Sequence, residues 1–318
     1  MLKIGITIGD PAGVGPELII KLSEHFNPES SYIIYGERKT IEAAQRLLGK
    51  NLDLIEIHYV DEVKHPGVYI ADLDISEVEV PTPSLTSGKV AIAYLGRAVV
   101  DAVMGNIRGL LTMPIHKLWA RLAGFSYSGQ TEFLAQASNV KDYAMFMYSE
   151  KIKVALLSTH LPLKEAIEKV RKEEVKRKIT LIKKEFKRLF GYEPSLGVCG
   201  LNPHAGERGE IGKEDMEEIL PAVEELKGEG LKVDGPLSPD TAFLKPERFD
   251  LFLCMYHDQG LIPFKLLAFR EGVNLTLGIP FVRTSPDHGV AYDIAWKGIA
   301  DVSSSLHALR LCERLAGR

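Results

Sequence analysis

No Cys-x-x-Cys pair occurs in this chain, and only three cysteines, Cys199, Cys254 and Cys312, are spread over its 318 residues. A cysteine-built zinc site is thereby excluded, and an odd, widely spaced set is not a disulfide framework. Cys199 and Cys254 lie inside apolar runs, so they read as small core residues in a reducing compartment. No stretch approaches the ~20 consecutive apolar residues of a membrane helix, and no membrane partner is expected. Charge of one sign is also lacking, since 39 basic against 43 acidic residues leave a formal net charge of -4. That balance gives no electrostatic reason to expect nucleic acid or an anionic membrane as partner. The opening Met1-Leu-Lys-Ile-Gly-Ile-Thr-Ile8 reads as a strand and lacks the apolar region and cleavage site of a signal peptide, so the expected location is cytoplasmic. Internal repeats and low-complexity linkers are missing too.

What is present is a soluble, globular composition, 45% hydrophobic and 26% charged, long enough for one large or two ordinary domains. Strand-like and helix-like segments alternate, which predicts a layered α/β fold. Strands are expected at residues 2–8, 32–35 and 109–112. Helices are expected at 16–25, at 40–48 with Gly49 as the stop, and at 88–104 with Ser87 as N-cap after a polar segment at 77–87. One helix is expected over 164–190. Val175, Ile179, Ile182, Phe186 and Leu189 line its buried face, and its many charges form a solvated one. Another helix, over 212–226, ends at Gly228 and Gly230.

The chemistry concentrates behind three apolar runs, residues 154–157, 196–201 and 251–256. Each reads as a buried strand, and a histidine follows each: His160, His204 and His257. Ligands of α/β proteins gather at the carboxyl ends of strands, and three neutral imidazoles can hold a metal while leaving a position open. Any one of these histidines alone is better explained as a strand cap or a local hydrogen bond. Three together, in loops carrying Asn202, Asp258 and Gln259, point to convergence. The loop Gly9-Asp-Pro-Ala-Gly-Val-Gly15 matches neither the dinucleotide nor the P-loop fingerprint. Asp10 there is either part of a tight turn or an acid facing a cleft. Lys265 follows His257 by eight residues, near enough in the chain to share its site, and a lysine beside a divalent cation can move a proton. A surface lysine is the plain alternative. Asn274 and Arg283 flank an apolar stretch, and Arg283-Thr-Ser285 suits phosphate or carboxylate oxygens.

The segment 285–300, Ser-Pro-Asp-His-Gly-Val-Ala-Tyr-Asp-Ile-Ala-Trp-Lys-Gly-Ile-Ala, resembles the HG[ST]A-x-D-I-A-G-K-G adenine-binding loop of the β-decarboxylating isocitrate and isopropylmalate dehydrogenases. Nearly end to end, the chain is similar to the 4-hydroxythreonine-4-phosphate dehydrogenase family of pyridoxal phosphate (pyridoxine) biosynthesis. The match runs through the segments at 9–17, 128–132, 159–163, 200–207, 256–260 and 272–278. The resemblance implies an isocitrate/isopropylmalate dehydrogenase-like α/β fold of two α/β/α domains with an interdomain cleft. Residues 1–127 plus 275–318 would form the first domain. Residues 128–274 would form the second, with the dimer contact. It implies that His160, His204 and His257 bind one divalent cation (zinc, magnesium, manganese or cobalt), with one ligand supplied by the other subunit of a homodimer. Gln130, Thr131, Lys265, Asn274 and Arg283 would bind substrate, and Lys265 would also be catalytic. His288, Gly289 and Asp293 would bind NAD, with tolerance of NADP left open.

The implied reaction is oxidation of 4-phosphohydroxy-L-threonine to a β-keto acid that decarboxylates to 3-amino-2-oxopropyl phosphate. A metal on the alcohol oxygen would favour the alkoxide that gives hydride to NAD, and would then steady the enolate. Three departures stand out. Gln130 replaces the usual His and cannot carry charge, Val290 replaces Thr or Ser, and Trp296 replaces Gly. The alternative is the same chemistry on a four-carbon sugar-acid phosphate such as erythronate or threonate 4-phosphate. A three-histidine hydrolase would leave the 288–298 loop unexplained, and a silent binding protein would bind NAD without turnover.

Overall fold

The computed structural model describes residues 1–75 and 78–318. The chain divides into two compact units, Met1–Val140 with Ile279–Arg318, and Lys141–Gly278. The sequence reading placed the breaks after residues 127 and 274; here residues 128–140 group with the first unit.

The first unit begins β1 (Lys3–Thr7), α1 (Gly15–Ser23), β2 (Ser31–Gly36), α2 (Arg38–Leu48), β3 (Ile55–Glu56) and β4 (Gly67–Asp72). It continues α3 (Leu85–Val103), β5 (Gly109–Thr112), α4 (Lys117–Leu122) and α5 (Gln130–Ala137). The middle unit runs β6 (Ala144–Tyr148), β7 (Lys153–Leu156), α6 (Leu163–Glu168), α7 (Lys172–Phe190), β8 (Leu196–Cys199) and α8 (Leu220–Gly228). It closes with β9 (Val233–Leu237), β10 (Leu251–Cys254), α9 (His257–Ala268) and β11 (Val273–Leu277). The chain then returns to the first unit for β12 (Val282–Pro286) and α10 (Ser303–Ala316).

In the first unit the strand order is β3-β4-β2-β1-β5-β12, and every pairing is parallel. Strands of such a sheet are covered on both faces, which is why β2 and β5 are buried throughout and read as unbroken apolar runs. In the middle unit the order is β11-β6-β7-β10-β8-β9. Its first two pairings are antiparallel and the other three parallel. Its core joins Phe146, Phe186, Phe252 and Phe264 with Cys199 and Cys254, all fully buried. The three cysteines are free and buried, as small core residues should be.

Three local expectations are corrected. Helix α3 starts earlier than residue 88, because Ser84 caps it: its hydroxyl accepts from the Ser87 amide at 3.1 Å, while the Ser87 hydroxyl accepts from the Ser84 amide at 3.0 Å. Ser87 is thus the reciprocal partner in the capping box. Of the polar segment expected before it, residue 77 lies outside the described residues. The single helix expected over 164–190 is two, broken at Arg171, which is extended (φ -127°, ψ 143°). Glu218 stabilises the break by accepting from the Lys172 amide at 2.6 Å and from the Arg171 guanidinium. All five residues of the predicted α7 core face are buried, but so is Lys183 on the supposedly solvated face. Its ammonium donates to the carbonyls of Pro194 and Lys232. A left-handed Gly191 ends α7.

Candidate active site

Strands β7 and β10 lie side by side in register, with Cys254 opposite Leu156. The pairing extends past the strands: the Leu157 amide donates to the Cys254 carbonyl at 2.8 Å and the Ser158 hydroxyl to the Met255 carbonyl at 2.9 Å. The two following loops therefore leave together and bring His160 and His257 to a ring-centre separation of 5.6 Å, inclined at 40°. Two imidazoles on one tetrahedral cation, with metal–nitrogen bonds of about 2 Å, would have ring centres roughly 5 Å apart. The pair fits as two ligands. Nδ1 of His257, the first residue of α9, lies 2.7 Å from the Asp258 carboxylate. If Nδ1 carries the proton, Nε2 is left with its lone pair for a ligand.

His204 is placed differently. Gln259 links its strand to that of His257, accepting from the Met255 amide at 2.7 Å and donating to the Gly200 carbonyl at 2.6 Å. Beyond Gly200 the backbone enters a left-handed turn, with positive φ at every residue from His204 to Gly209. The fully buried Asp215 braces it by accepting from the Leu201 amide (2.7 Å), the Asn202 amide (3.1 Å) and the Asn202 side chain (2.8 Å). The Asp240 carboxyl is held low chiefly by the Ser238 hydroxyl, with a lesser contribution from His204. Among the described residues no three His, Cys, Asp or Glu side chains are grouped to hold a metal.

Lys265 is exposed, two turns along α9 from His257, an axial rise of about 12 Å. Closeness in sequence does not make them neighbours on one helix. Asn274, on β11, has a buried side-chain oxygen with no hydrogen-bond partner, an acceptor suited to a ligand donor. Along α9 and just beyond it, Ile262, Leu266, Leu267 and Phe269 are exposed, Leu266 by 82%.

The first unit holds a second cluster. Arg283 projects from β12 and is only 3% exposed. Its Nε and Nη2 donate to the Thr112 hydroxyl at 3.1 and 2.7 Å, Nη1 to the Thr131 hydroxyl at 3.5 Å, and Nη2 to the Gln130 carbonyl oxygen at 3.3 Å. Burial pulls this guanidinium down to about 10, against a partial upward pull from Glu132. Gln130 and Thr131 open α5, whose first amides can also face an anion. Three residues singled out in the sequence thus meet around one desolvated cation. Thr112 was missed, although it closes β5 just before Met113-Pro114. Gln130 uses both ends of its amide, since its nitrogen donates to the Met113 carbonyl at 3.1 Å.

The third group is the 288–300 loop, also in the first unit. Nδ1 of His288 lies 2.9 Å from the Gly289 carbonyl, and its Nε2 is buried without a partner. A side chain on Gly289 would meet open space, and Asp293 is exposed. The unpartnered ring nitrogen is a polar atom that a ligand group could satisfy. Asp10 proves to be a buried turn residue, accepting from the Ala12 amide at 3.0 Å and the Tyr292 hydroxyl at 2.6 Å.

A family model described as "Pyridoxal phosphate biosynthetic protein PdxA" matches residues 29–312. The chain belongs to the PdxA family. A 4-hydroxythreonine-4-phosphate dehydrogenase from Aquifex aeolicus (strain VF5) is 64% identical over 313 residues, covering 98% of either chain. A D-threonate 4-phosphate dehydrogenase from Pectobacterium atrosepticum is 38% identical over 325 residues, covering 98% of this chain and 99% of the other. The crystal structure of 4-hydroxythreonine-4-phosphate dehydrogenase from Klebsiella pneumoniae matches with a TM-score of 0.86 at 35% identity, over 99% of this chain and 100% of that one. Isocitrate dehydrogenase from Methylococcus capsulatus matches at TM-score 0.50 and 16% identity, over 98% and 85% of the two chains, which speaks to fold alone. The PdxA chain therefore has the α/β fold expected from its loop motif. It is an oxidoreductase of a dehydrogenase family, which implies a nicotinamide-type cofactor and a divalent cation. No helix among the described residues is long and apolar enough to cross a membrane.

Proposed function

We propose that this PdxA-family chain oxidises 4-phosphohydroxy-L-threonine with NAD and releases carbon dioxide from the resulting β-keto acid, giving 3-amino-2-oxopropyl phosphate. The observation that carries the reading is the buried Arg283 guanidinium, with Thr112, Thr131 and Gln130 around it. A cation held out of water by neutral hydroxyl and amide groups attracts a phosphate strongly, and its planar fork binds two oxygens at once. In this reading Arg283 and Thr131 hold the substrate phosphate, with Gln130 steadying Arg283. The unpaired oxygen of Asn274 accepts a substrate N–H or O–H. Lys265 moves the proton.

His160 and His257 would hold a divalent cation, zinc, magnesium, manganese or cobalt. His288, Gly289 and Asp293 would hold NAD. When bound, the cation supplies Lewis acidity at the reacting oxygen, and NAD accepts the hydride. Two imidazoles of one chain are too few for a closed site, so the set of His160, His204 and His257 would be completed across two copies. The exposed apolar residues Ile262 and Leu266 on α9, which begins at His257, support a homodimer.

A second reading, the same chemistry on D-threonate 4-phosphate, is favoured by the relative of that name at 38% identity. The 64% identity to a hydroxythreonine-phosphate enzyme favours the first. The test is NADH formation from each phosphate, with and without chelator, in the wild type and in His204→Ala. Preference for the threonate ester would overturn the substrate. Chelator-resistant, undiminished turnover in the variant would overturn the metal assignment.

A further inference from the structure

Trp296 sits at φ +61°, a backbone region that side chains other than glycine adopt at a cost. The adenine loop that this segment resembles has glycine at that position. The indole holds the strained residue in place. Its Nε1–H donates to the Pro11 carbonyl at 2.9 Å, and the Trp296 backbone amide donates to the Glu17 carboxylate at 3.0 Å. Both acceptors belong to the first strand–helix connection and its helix, and Glu17 is 1% exposed. One turn along α1, the Lys21 ammonium donates to the carbonyls of Gly298 (2.9 Å) and Ala300 (2.6 Å). At the other end of the loop the Val14 amide donates to the Val290 carbonyl at 3.0 Å. A Cβ on Gly13 would stand 3.0 Å from that same oxygen and 3.1 Å from the Val290 Cβ, so a side chain there would press the loop away from the turn. Residues 290–300 are thereby fastened to residues 10–21 along their length.

We propose that Trp296 is a positioning residue for the nicotinamide cofactor. Its indole pins the loop that carries His288 and Gly289 onto the first turn before the cofactor arrives. A glycine at 296 would relieve the backbone strain but supply no fastening, and the loop would have to be ordered at the expense of binding. The tryptophan is thus a gain in preorganisation made at a strained position. The proposal rests on the reading of residues 288–293 as the cofactor loop.

The test uses the full chain and two variants, Trp296→Gly and Trp296→Phe, the second removing only the indole donor and part of the ring. Hydrogen exchange at 287–299 is measured without cofactor, and NAD affinity is measured by calorimetry. Faster loop exchange in both variants is expected, with NAD binding weakened on the order of tenfold in Trp296→Gly and less in Trp296→Phe. In turnover the loss should appear in KM for NAD and leave kcat unchanged. Should Trp296→Gly fail to fold, Trp296→Phe carries the test alone. Unchanged loop exchange, or a loosened loop that binds NAD as tightly as wild type, would overturn the proposal. Wild type that binds no NAD while the variants still loosen the loop would overturn the cofactor reading, and with it the role assigned to Trp296, leaving a purely structural clasp.

Discussion

Replacing Arg283 with Met should remove the phosphate site at little cost to the fold. The guanidinium is 3% exposed, and burial draws it down from its ordinary value to about 10. At about 1.36 kcal/mol for each tenfold change in proton affinity, burying the charged group costs about 3 kcal/mol. At pH 7 the folded and unfolded chains both carry this proton, so the full cost is present. As pH rises through 10 the folded group loses its proton first, and the cost fades. Methionine is comparably long and uncharged, so the cost disappears. What is lost are the hydrogen bonds to Thr112, Thr131 and Gln130, about 0.5–1.5 kcal/mol net for each partner. The variant should therefore lie within about 1.5 kcal/mol of wild type, in either direction, in urea unfolding at pH 7. Inorganic phosphate at ten times its Kd should stabilise the wild type by about 1.4 kcal/mol and the variant not at all. An Arg283→Met protein destabilised by several kcal/mol, or still stabilised by phosphate, would refute the reasoning. Such an outcome would mean that the arginine serves the fold and not a ligand.

Asp215→Ala leaves the Leu201 and Asn202 amides without their buried acceptor, so a loss of about 2 to 4 kcal/mol is expected in denaturant unfolding. Faster hydrogen exchange at 202–209 should accompany it. Lys178, whose ammonium donates to the Tyr143 carbonyl at 2.7 Å, is pushed down to about 8 mainly by burial. A half-buried cationic lysine costs stability below pH 8, and the cost is relieved between there and 10.5. Stability of wild type minus that of Lys178→Met should thus rise by about 3 kcal/mol from pH 7 to pH 10.5; a pH-independent difference would contradict the burial argument. Ser84→Ala should cost about 1 kcal/mol through loss of the α3 cap, read as a lower Tm. Ser87→Ala should cost at least as much, since that buried hydroxyl accepts from the Ser84 amide and also reaches the Ser84 carbonyl at 2.9 Å and the Asp10 carboxylate at 3.4 Å.

Much of the fold was written in periodicity. The apolar runs at 109–112 and 251–254 could hardly be anything but buried parallel strands, and the face from Val175 to Leu189 could only be a helix side. Local rules of this kind depend on residues close in the chain, which is why they survive without the structure. The Arg283 partners were legible in part, because Gln130, Thr131 and Arg283 announced themselves as anion ligands by type. That they meet depends on β12 lying beside β5, a pairing across more than a hundred and fifty residues that no local pattern encodes. Three strand-end histidines looked equivalent in sequence. The structure shows the register of β7 against β10 bringing His160 and His257 together, while His204 sits in a left-handed turn braced by Asp215. Lys265 lies two turns along α9 from His257, a spacing that residue count alone does not convey. Sequence by itself therefore determined which side chains were chemically fit for the task. Tertiary structure decided which of them share a site, because strand register and backbone handedness, not residue type, set where a side chain ends up.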